Sequence, residues 1–181
     1  MKLFKIVKDS AKSLRARSQP LPLPLDEKDK KILLEMLEYL KLSQDEEYAT
    51  KHHIRSGVGL AAPQIGINKM MCALYFFDKD KMREYCLVNP QIIVESTKLA
   101  YIAGGEGCLS VDRDIDGLIY RPHKVVVKAF DVLQNKEIEE TFIGFPSMVV
   151  QHEIDHLKGI LFYDHIDKEN PYKEIKGAIK L

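Results

Sequence analysis

The sequence contains no tryptophan, only three cysteines and no long run of apolar residues. Its longest uninterrupted apolar stretch, residues 70–77, has eight residues, well short of the ~20 that a membrane-spanning helix needs. A net charge is also lacking, since 27 Lys and Arg residues balance 27 Asp and Glu residues. A balanced chain creates no overall field toward nucleic acid or anionic lipid. The sequence therefore predicts neither a membrane protein nor a nucleic-acid-binding protein.

The cysteines do not form a disulfide framework, because Cys72, Cys86 and Cys108 are odd in number and include no C-x-x-C pair. Such sparse use of cysteine is typical of a reducing compartment. The N-terminus lacks the apolar core of roughly 7–15 residues that a secretory signal carries. Residues 1–18 are basic, as in a transit peptide, but their apolar pairs favour an ordinary folded start. We therefore expect a cytoplasmic protein.

The length predicts a single domain over residues 1–181. Asp26 is expected to cap a first helix, in which leucines recur at helical spacing. Residues 43–46 read as a capping box that opens a second, polar helix, ending at about residue 55.

Beyond residue 57 the pattern changes to short β-rich runs separated by turn residues. These runs are residues 70–77, 85–88, 91–101, 118–130 and 137–143. A last helix is then expected, with Pro146 near its start and Gly159 just past its end. We therefore predict an α+β fold, in which short antiparallel strands pack around a C-terminal metal-binding helix, with further helices at the N-terminus.

The last helix contains the segment HEIDH, residues 152–156. His152 and His156 are four residues apart and therefore lie on the same face of the helix. Both imidazoles can bind one metal ion, and Glu153 beside them can handle the protons of a water molecule. Apolar residues such as Val149 precede the segment, so the helix is expected to be buried. Burying these polar groups without a metal would be costly.

A catalytic metal site of this kind needs a third protein ligand and an open position. The third histidine of one common metalloprotease pattern is replaced by Phe162. Other side chains are available in less convincing contexts, namely His123, His165, Glu169 and Glu174. Cys108 is the best candidate, because it lies in a polar, glycine-rich loop and a thiolate is a strong, soft ligand.

Residues 57–64 (GVGLAAPQ) fit a loose dinucleotide-binding pattern. That interpretation fails, because a charged helix precedes the segment where a strand is required, and Pro63 interrupts the following helix. What remains is a tight loop of small residues that a substrate backbone can approach closely. Its single amide side chain, Gln64, can stabilise an oxyanion.

In this order, the segments GVGLAAPQ (57–64), EGCLS (106–110) and QHEIDH (151–156) closely resemble the three motifs of the peptide deformylase family. The resemblance extends from residue 20 to residue 164. It is greatest to the longer type II bacterial form, because Cys108 is followed by LSVDR. The resemblance implies an enzyme that removes the formyl group from the N-terminal methionine of newly made proteins.

The resemblance also implies a metal centre, with Cys108, His152 and His156 as the ligands. Fe(II) would be the native ion, and Ni(II), Co(II) or Zn(II) would be substitutes. Glu106 and Arg121 are expected to form a supporting ion pair beside these ligands.

Three catalytic groups are implied in the same way. Glu153 would be the general base and then the acid, while the Gln64 side chain and the backbone N–H of Leu109 would hold the oxyanion. Asp155 matches the third motif without an assigned role. The pocket for the methionine side chain would be lined by Val58, Gly59, Phe145, Met148 and Val149.

The resemblance implies N-formylmethionyl nascent peptides at the ribosome as partners and a monomeric enzyme. Two other classes stay open at this point. A zinc endopeptidase would keep the HExxH segment but would leave Cys108 and Gln64 unexplained. A non-catalytic module with a structural metal would need a fourth protein ligand, and no motif supplies one.

Overall fold

The computed structural model describes residues 3–181 as three α-helices and eight β-strands. The helices are α1 (Glu27–Ser43), α2 (Glu46–His52) and α3 (Phe145–Lys158). The strands are β1 (Gly59–Ala61), β2 (Met71–Asp78), β3 (Lys81–Glu95), β4 (Leu99–Tyr101), β5 (Arg121–Pro122), β6 (Lys124–Asp131), β7 (Lys136–Ile143) and β8 (Ile179–Lys180).

The strands form two sheets. Five antiparallel strands make the larger sheet in the order β1-β2-β3-β6-β7, and three make the smaller sheet in the order β5-β4-β8. The predicted α+β fold is confirmed. Two details go beyond the expected short antiparallel strands, since β3 has 15 residues and β8 pairs with β4 in parallel. Within the described residues, no helix has both the length and the apolar character needed to cross a membrane.

The larger sheet is covered on both faces, which explains its long apolar run. Alternate residues of β2, including Leu74 and Phe76, pack with Ile154 of α3. The intervening residues, including Ala73, pack with Leu40 of α1. A strand buried on both faces is apolar at every position, because successive side chains point to opposite faces.

The two N-terminal helices differ in how well the sequence predicted them. The Asp26 side chain accepts a hydrogen bond from the Asp29 N–H at 2.8 Å and caps α1, as predicted. The predicted capping box at residues 43–46 is wrong. Ser43 ends α1, and its hydroxyl binds the Leu40 carbonyl and the Gly57 N–H, so Asp45 caps α2 instead.

Two strand boundaries also differ from the prediction. Residues 85–88 and 91–101 were expected as separate runs, but β3 continues through Pro90 to Glu95. The ladder with β6 accommodates the proline by a register shift between Val88 and Gln91, where the missing proline N–H is tolerated. The run predicted over 118–130 is divided, because β5 joins the smaller sheet and β6 joins the larger one.

Helix α3 begins and ends where the sequence predicted. Pro146 lies in its first turn, and Gly159 follows its last residue with φ of 78°. Its residues 146–157 are all buried. The polar HEIDH segment is therefore held inside the molecule, between the sheets and the loop that joins β4 to β5.

The end of α3 yields a stability prediction. A Cβ at Gly159 would lie 2.8 Å from the Arg15 carbonyl oxygen, whereas Gly177 has a similar φ of 83° and open space around it. Gly177→Ala should therefore lower the free energy of unfolding by at most ~1–2 kcal/mol, from backbone strain alone. Gly159→Ala should cost about 1–3 kcal/mol more, because the main chain must move. Denaturant unfolding measures both, and equal losses would contradict the steric explanation.

Candidate metal centre

Three potential ligands converge on one point between α3 and the β4–β5 loop. The His152 and His156 rings lie one turn apart, with 4.8 Å between their centroids. Cys108 approaches from the loop, and its Sγ lies 3.3 Å from His156 Nε2. The three ligand atoms all lie within 4.8 Å of one another. Among residues 3–181 this is the one such group of three or more His, Cys, Asp or Glu side chains.

The donor set fits a divalent transition metal. A thiolate with two imidazoles is typical of zinc and iron sites, and three protein ligands leave one position for substrate or water. Burial lowers the pKa of His156 well below its usual range, so that its imidazole is neutral and able to coordinate. Glu153 Oε2, beside this cluster, is buried without a hydrogen-bond partner among the described residues. Such an orphaned polar atom is expected where a bound water molecule belongs.

A buried ion pair orients His152. Its Nδ1 donates to Glu106 Oε2 at 2.9 Å, which leaves Nε2 free to face the metal. The Glu106 carboxylate also accepts hydrogen bonds from Arg121 Nε at 2.6 Å and from Arg121 Nη2 at 3.0 Å. Burial opposes ionisation of Glu106, but hydrogen bonds from His152 and Arg121 outweigh it and lower the pKa of the carboxyl to about 2. The carboxylate is therefore a permanent acceptor for His152.

The same network gives Asp155 a physical role that the sequence did not suggest. Its Oδ2 accepts from Arg121 Nη1 at 2.6 Å and from His165 Nε2 at 2.7 Å. Hydrogen bonds thus run from His152 through Glu106, Arg121 and Asp155 to His165 near the surface. Asp155 thus accepts from the Arg121 nitrogen that Glu106 leaves unpaired. Without this second carboxylate, the buried guanidinium would be costly to hold inside the molecule.

Glu153 lies beside the potential ligands, and no counter-charge among residues 3–181 is bonded to it. Burial raises the pKa of its carboxyl to about 7, and this places it where a proton acceptor and donor is most effective at neutral pH. The carboxyl rests against the backbone of β1. A Cβ built on Gly59 would lie 2.3 Å from Glu153 Oε1, so this strand can approach the helix only because residue 59 is glycine.

Two N–H groups lie beside Cys108. Gln64 Oε1 accepts the Ala61 N–H at 2.8 Å, which turns Nε2 toward Cys108 Sγ at 3.6 Å. Gln64 Nε2 also lies 3.4 Å from Ser110 Oγ. The backbone N–H of Leu109 donates no hydrogen bond within residues 3–181. The Leu109 N–H is thus available to a ligand beside Cys108, whereas the Gln64 amide already donates to Cys108 Sγ and Ser110 Oγ there.

A cavity of about 220 Å³ opens onto this cluster. It is lined by all five residues expected in the side-chain pocket, and also by Gln64, Glu106, Cys108, Leu109, His152 and Glu153. His156 is fully buried and lies behind this lining, with its Nε2 3.3 Å from Cys108 Sγ. The structure thus brings together every site residue proposed from the sequence.

Three further residues of the site region were missed by sequence reasoning. Arg55, Ser56 and Ile102 also line the cavity. Arg55 and Ser56 directly precede the GVGLAAPQ segment, and this proximity was the one available signal. Ile102 belongs to a loop whose position depends on pairing between distant strands.

The buried HExxH helix, the soft third ligand and the open cavity define the class of the protein, a metal-dependent hydrolase. Comparison with known proteins then identifies its family. The pattern of the polypeptide deformylase family matches residues 3–172. A peptide deformylase of Ligilactobacillus salivarius is 46% identical over 180 residues, which cover 97% of this chain and 96% of the relative. Peptide deformylase 2 of Bacillus subtilis is 46% identical over 177 residues, with 97% and 96% coverage.

Solved structures agree with the sequence comparison. The crystal structure of a peptide deformylase from Thermotoga maritima matches with a TM-score of 0.71 and 30% identity, covering 92% of this chain and 99% of the other. Peptide deformylase 1B of Arabidopsis thaliana matches with a TM-score of 0.73 and 30% identity, covering 91% and 82%. The chain belongs to the peptide deformylase family. It is accordingly a metal-dependent enzyme that removes the N-formyl group from nascent peptides.

The contact between Gly59 and Glu153 yields a test of the site. Gly59→Ala should displace the Glu153 carboxyl and lower kcat by ~10²–10⁴-fold, the usual contribution of a general acid–base group. Metal content should be unchanged, because neither residue is among the three converging ligands. Gly104→Ala is the control, since nothing lies within 4 Å of a Cβ at that position. Full activity of Gly59→Ala would contradict the steric argument.

Proposed function

We propose that the enzyme acts on the N-terminal formyl-methionine of nascent peptides and releases formate. The observation that carries this proposal is the convergence of Cys108, His152 and His156 beside a cavity that Glu153, the Gln64 amide and Leu109 also line. The cavity has apolar walls of the size that a methionine side chain requires. We further propose that residues 1–181 form one domain and that the enzyme is a monomer acting in the cytoplasm, at the ribosome.

Cys108, His152 and His156 would hold the metal, and we propose Fe(II) as the native ion, with Ni(II), Co(II) or Zn(II) as substitutes. When bound, the ion supplies Lewis acidity, which polarises a carbonyl oxygen and makes water a better nucleophile at neutral pH. Metal analysis of protein prepared without oxygen identifies the native ion. Glu106 and Arg121 support this centre by holding His152 in the orientation that turns its Nε2 toward Cys108.

Glu153 moves the proton of the reaction. Its carboxylate accepts a proton from water as the water oxygen attacks the formyl carbon. The same carboxyl then gives this proton to the α-amine nitrogen, the C–N bond breaks, and formate leaves. A pKa of about 7 suits both steps, because the group can gain and lose a proton near neutral pH.

The Leu109 N–H and Gln64 Nε2 stabilise the negative charge that develops on the formyl oxygen. Both donors belong to buried residues that are held in place before the reaction, which limits the reorganisation needed when the charge appears. The anchoring bond from the Ala61 N–H to Gln64 Oε1 holds the amide in the donating orientation.

The methionine side chain would occupy the apolar part of the cavity. Its walls are Val58, Gly59, Phe145, Met148 and Val149. Phe145 is half-exposed at the mouth and packs edge-on against Phe76, with 6.4 Å between the ring centroids. Beside Cys108 two lining residues come close together, since a Cβ at Gly57 would lie only 2.8 Å from the Leu109 side chain. We propose that the formyl group binds at this crowded end.

The crowding predicts selectivity for formyl over larger acyl groups. Formyl-Met-Ala-Ser should release formate, whereas acetyl-Met-Ala-Ser should react about 10–100-fold more slowly, because one extra methyl in a packed site costs ~1–3 kcal/mol. A long unblocked peptide should stay intact. Formate and acetate assays at equal metal loading test this. Cleavage of the long peptide at internal bonds would instead favour an endopeptidase.

The role of Glu153 predicts a loss of rate without a loss of metal. Glu153→Ala should lower kcat by ~10²–10⁴-fold, since the proton then has no carrier. Metal content by elemental analysis should equal that of the parent protein. By contrast, His156→Ala should lose both metal and activity. A Glu153→Ala protein that lacks metal would show that the glutamate is a ligand and that its role is misassigned.

A further inference from the structure

Arg55 links the two sides of the active-site cavity. It lies between α2 and β1, just before the GVGLAAPQ segment, and it lines the cavity. Its Nη2 donates to the Cys108 carbonyl oxygen at 3.0 Å. Its Nη1 donates to the Val111 carbonyl oxygen at 3.0 Å and to Asp112 Oδ1 at 2.9 Å. The guanidinium thus binds the loop that carries Cys108 at three points.

One of these acceptors has a special position in the backbone. The Cys108 carbonyl and the Leu109 N–H belong to the same planar peptide group. The carbonyl also accepts the Val111 N–H at 3.2 Å, so two donors hold it. A cationic donor on the carbonyl oxygen draws electron density along the peptide group and makes the N–H at its other end a stronger donor. Fixing the carbonyl also fixes the direction of that N–H.

We propose that Arg55 is a positioning residue for the deformylation reaction. Its guanidinium orients and polarises the Cys108–Leu109 peptide, so that the Leu109 N–H stabilises the oxyanion more strongly. This inference rests on the oxyanion role proposed above for Leu109. It assigns Arg55 an effect on the transition state, without contact with the reacting atoms.

Two simpler roles make different predictions. If Arg55 were only part of a surface ion pair with Asp112, its loss would change little, because exposed pairs contribute little to stability. If Arg55 bound the peptide substrate directly from the cavity rim, its loss would raise KM and leave kcat unchanged. A residue that acts through the oxyanion donor instead lowers kcat and leaves KM nearly unchanged.

The first experiment compares Arg55→Met with the parent enzyme on formyl-Met-Ala-Ser at equal metal loading. We expect kcat to fall by about 10-fold, less than the ~10²–10³-fold for removal of an oxyanion donor itself. KM, metal content and the thermal unfolding midpoint should stay the same. Lys8→Met is the matched control, because Lys8 binds the same Asp112 Oδ1 at 2.7 Å but does not reach the Cys108 carbonyl. It should retain full activity.

A second experiment tests the link to the oxyanion. Sulfur accepts hydrogen bonds more weakly than oxygen, so an N-thioformyl-Met-Ala-Ser substrate gains less from the Leu109 N–H. The parent enzyme should be about 10-fold faster than Arg55→Met on the formyl substrate. On the thioformyl substrate this ratio should shrink toward 1, because the Leu109 N–H then contributes little in either enzyme. An equal ratio on both substrates would overturn the proposal.

A third readout is independent of turnover. In the Zn(II)-loaded protein, the amide nitrogen and proton resonances of Leu109 should move upfield in Arg55→Met, because the preceding carbonyl loses its charged donor.

Unchanged Leu109 resonances, an unchanged kcat, a rise in KM alone, or a loss of metal would each overturn the proposal, as would an equal defect in Lys8→Met. Absence of formate with the parent enzyme would contradict the proposed function itself. Equal rates for parent and Arg55→Met would contradict only the role of Arg55.

Discussion

The active site depends on the burial of a polar helix face inside an apolar core. Helix α3 contributes Val150, Ile154 and Leu157 to the core against the larger sheet, and its other face carries His152, Glu153 and His156. A helix cannot bury one face without fixing the other. Packing of the aliphatic residues therefore sets the positions of the metal ligands, and the unfavourable desolvation of the polar groups is offset only where partners meet them.

The partners of these polar groups come from segments that are distant in sequence, and they affect each polar group differently. Arg121, from the smaller sheet, neutralises two carboxylates at once, and one of them orients His152. Glu153 has no such partner within residues 3–181, and burial therefore raises the pKa of its carboxyl to about 7. Within one turn of α3, then, the Asp155 carboxylate is held ionised, whereas the Glu153 carboxyl has a pKa near neutral pH. Their neighbours decide which of the two can carry a proton.

The sequence predicted the parts of the site that depend on local spacing and recognisable motifs. The two histidines follow from helical periodicity, and Cys108 follows from the composition of its loop. Gln64 follows from its place in a tight loop of small residues. The contacts of Arg55 and His165 were not predictable in this way, because their partners lie 53 and 10 residues away and depend on loop packing. Strand β8 was missed for a related reason, since two residues carry too little periodicity to indicate a strand.

The close approach of β1 to α3 has a consequence for inhibitor design. Every amino acid other than glycine carries a Cβ, and at position 59 a Cβ would displace the Glu153 side chain. A substitution at this position therefore disturbs the group that moves the proton. Neighbouring wall positions such as Val58 and Met148 have ordinary side chains and can change size. Resistance mutations can reshape a compound's contact with the main chain of residue 59 only by disturbing Glu153. A compound that relies on the flanking side chains lacks this protection.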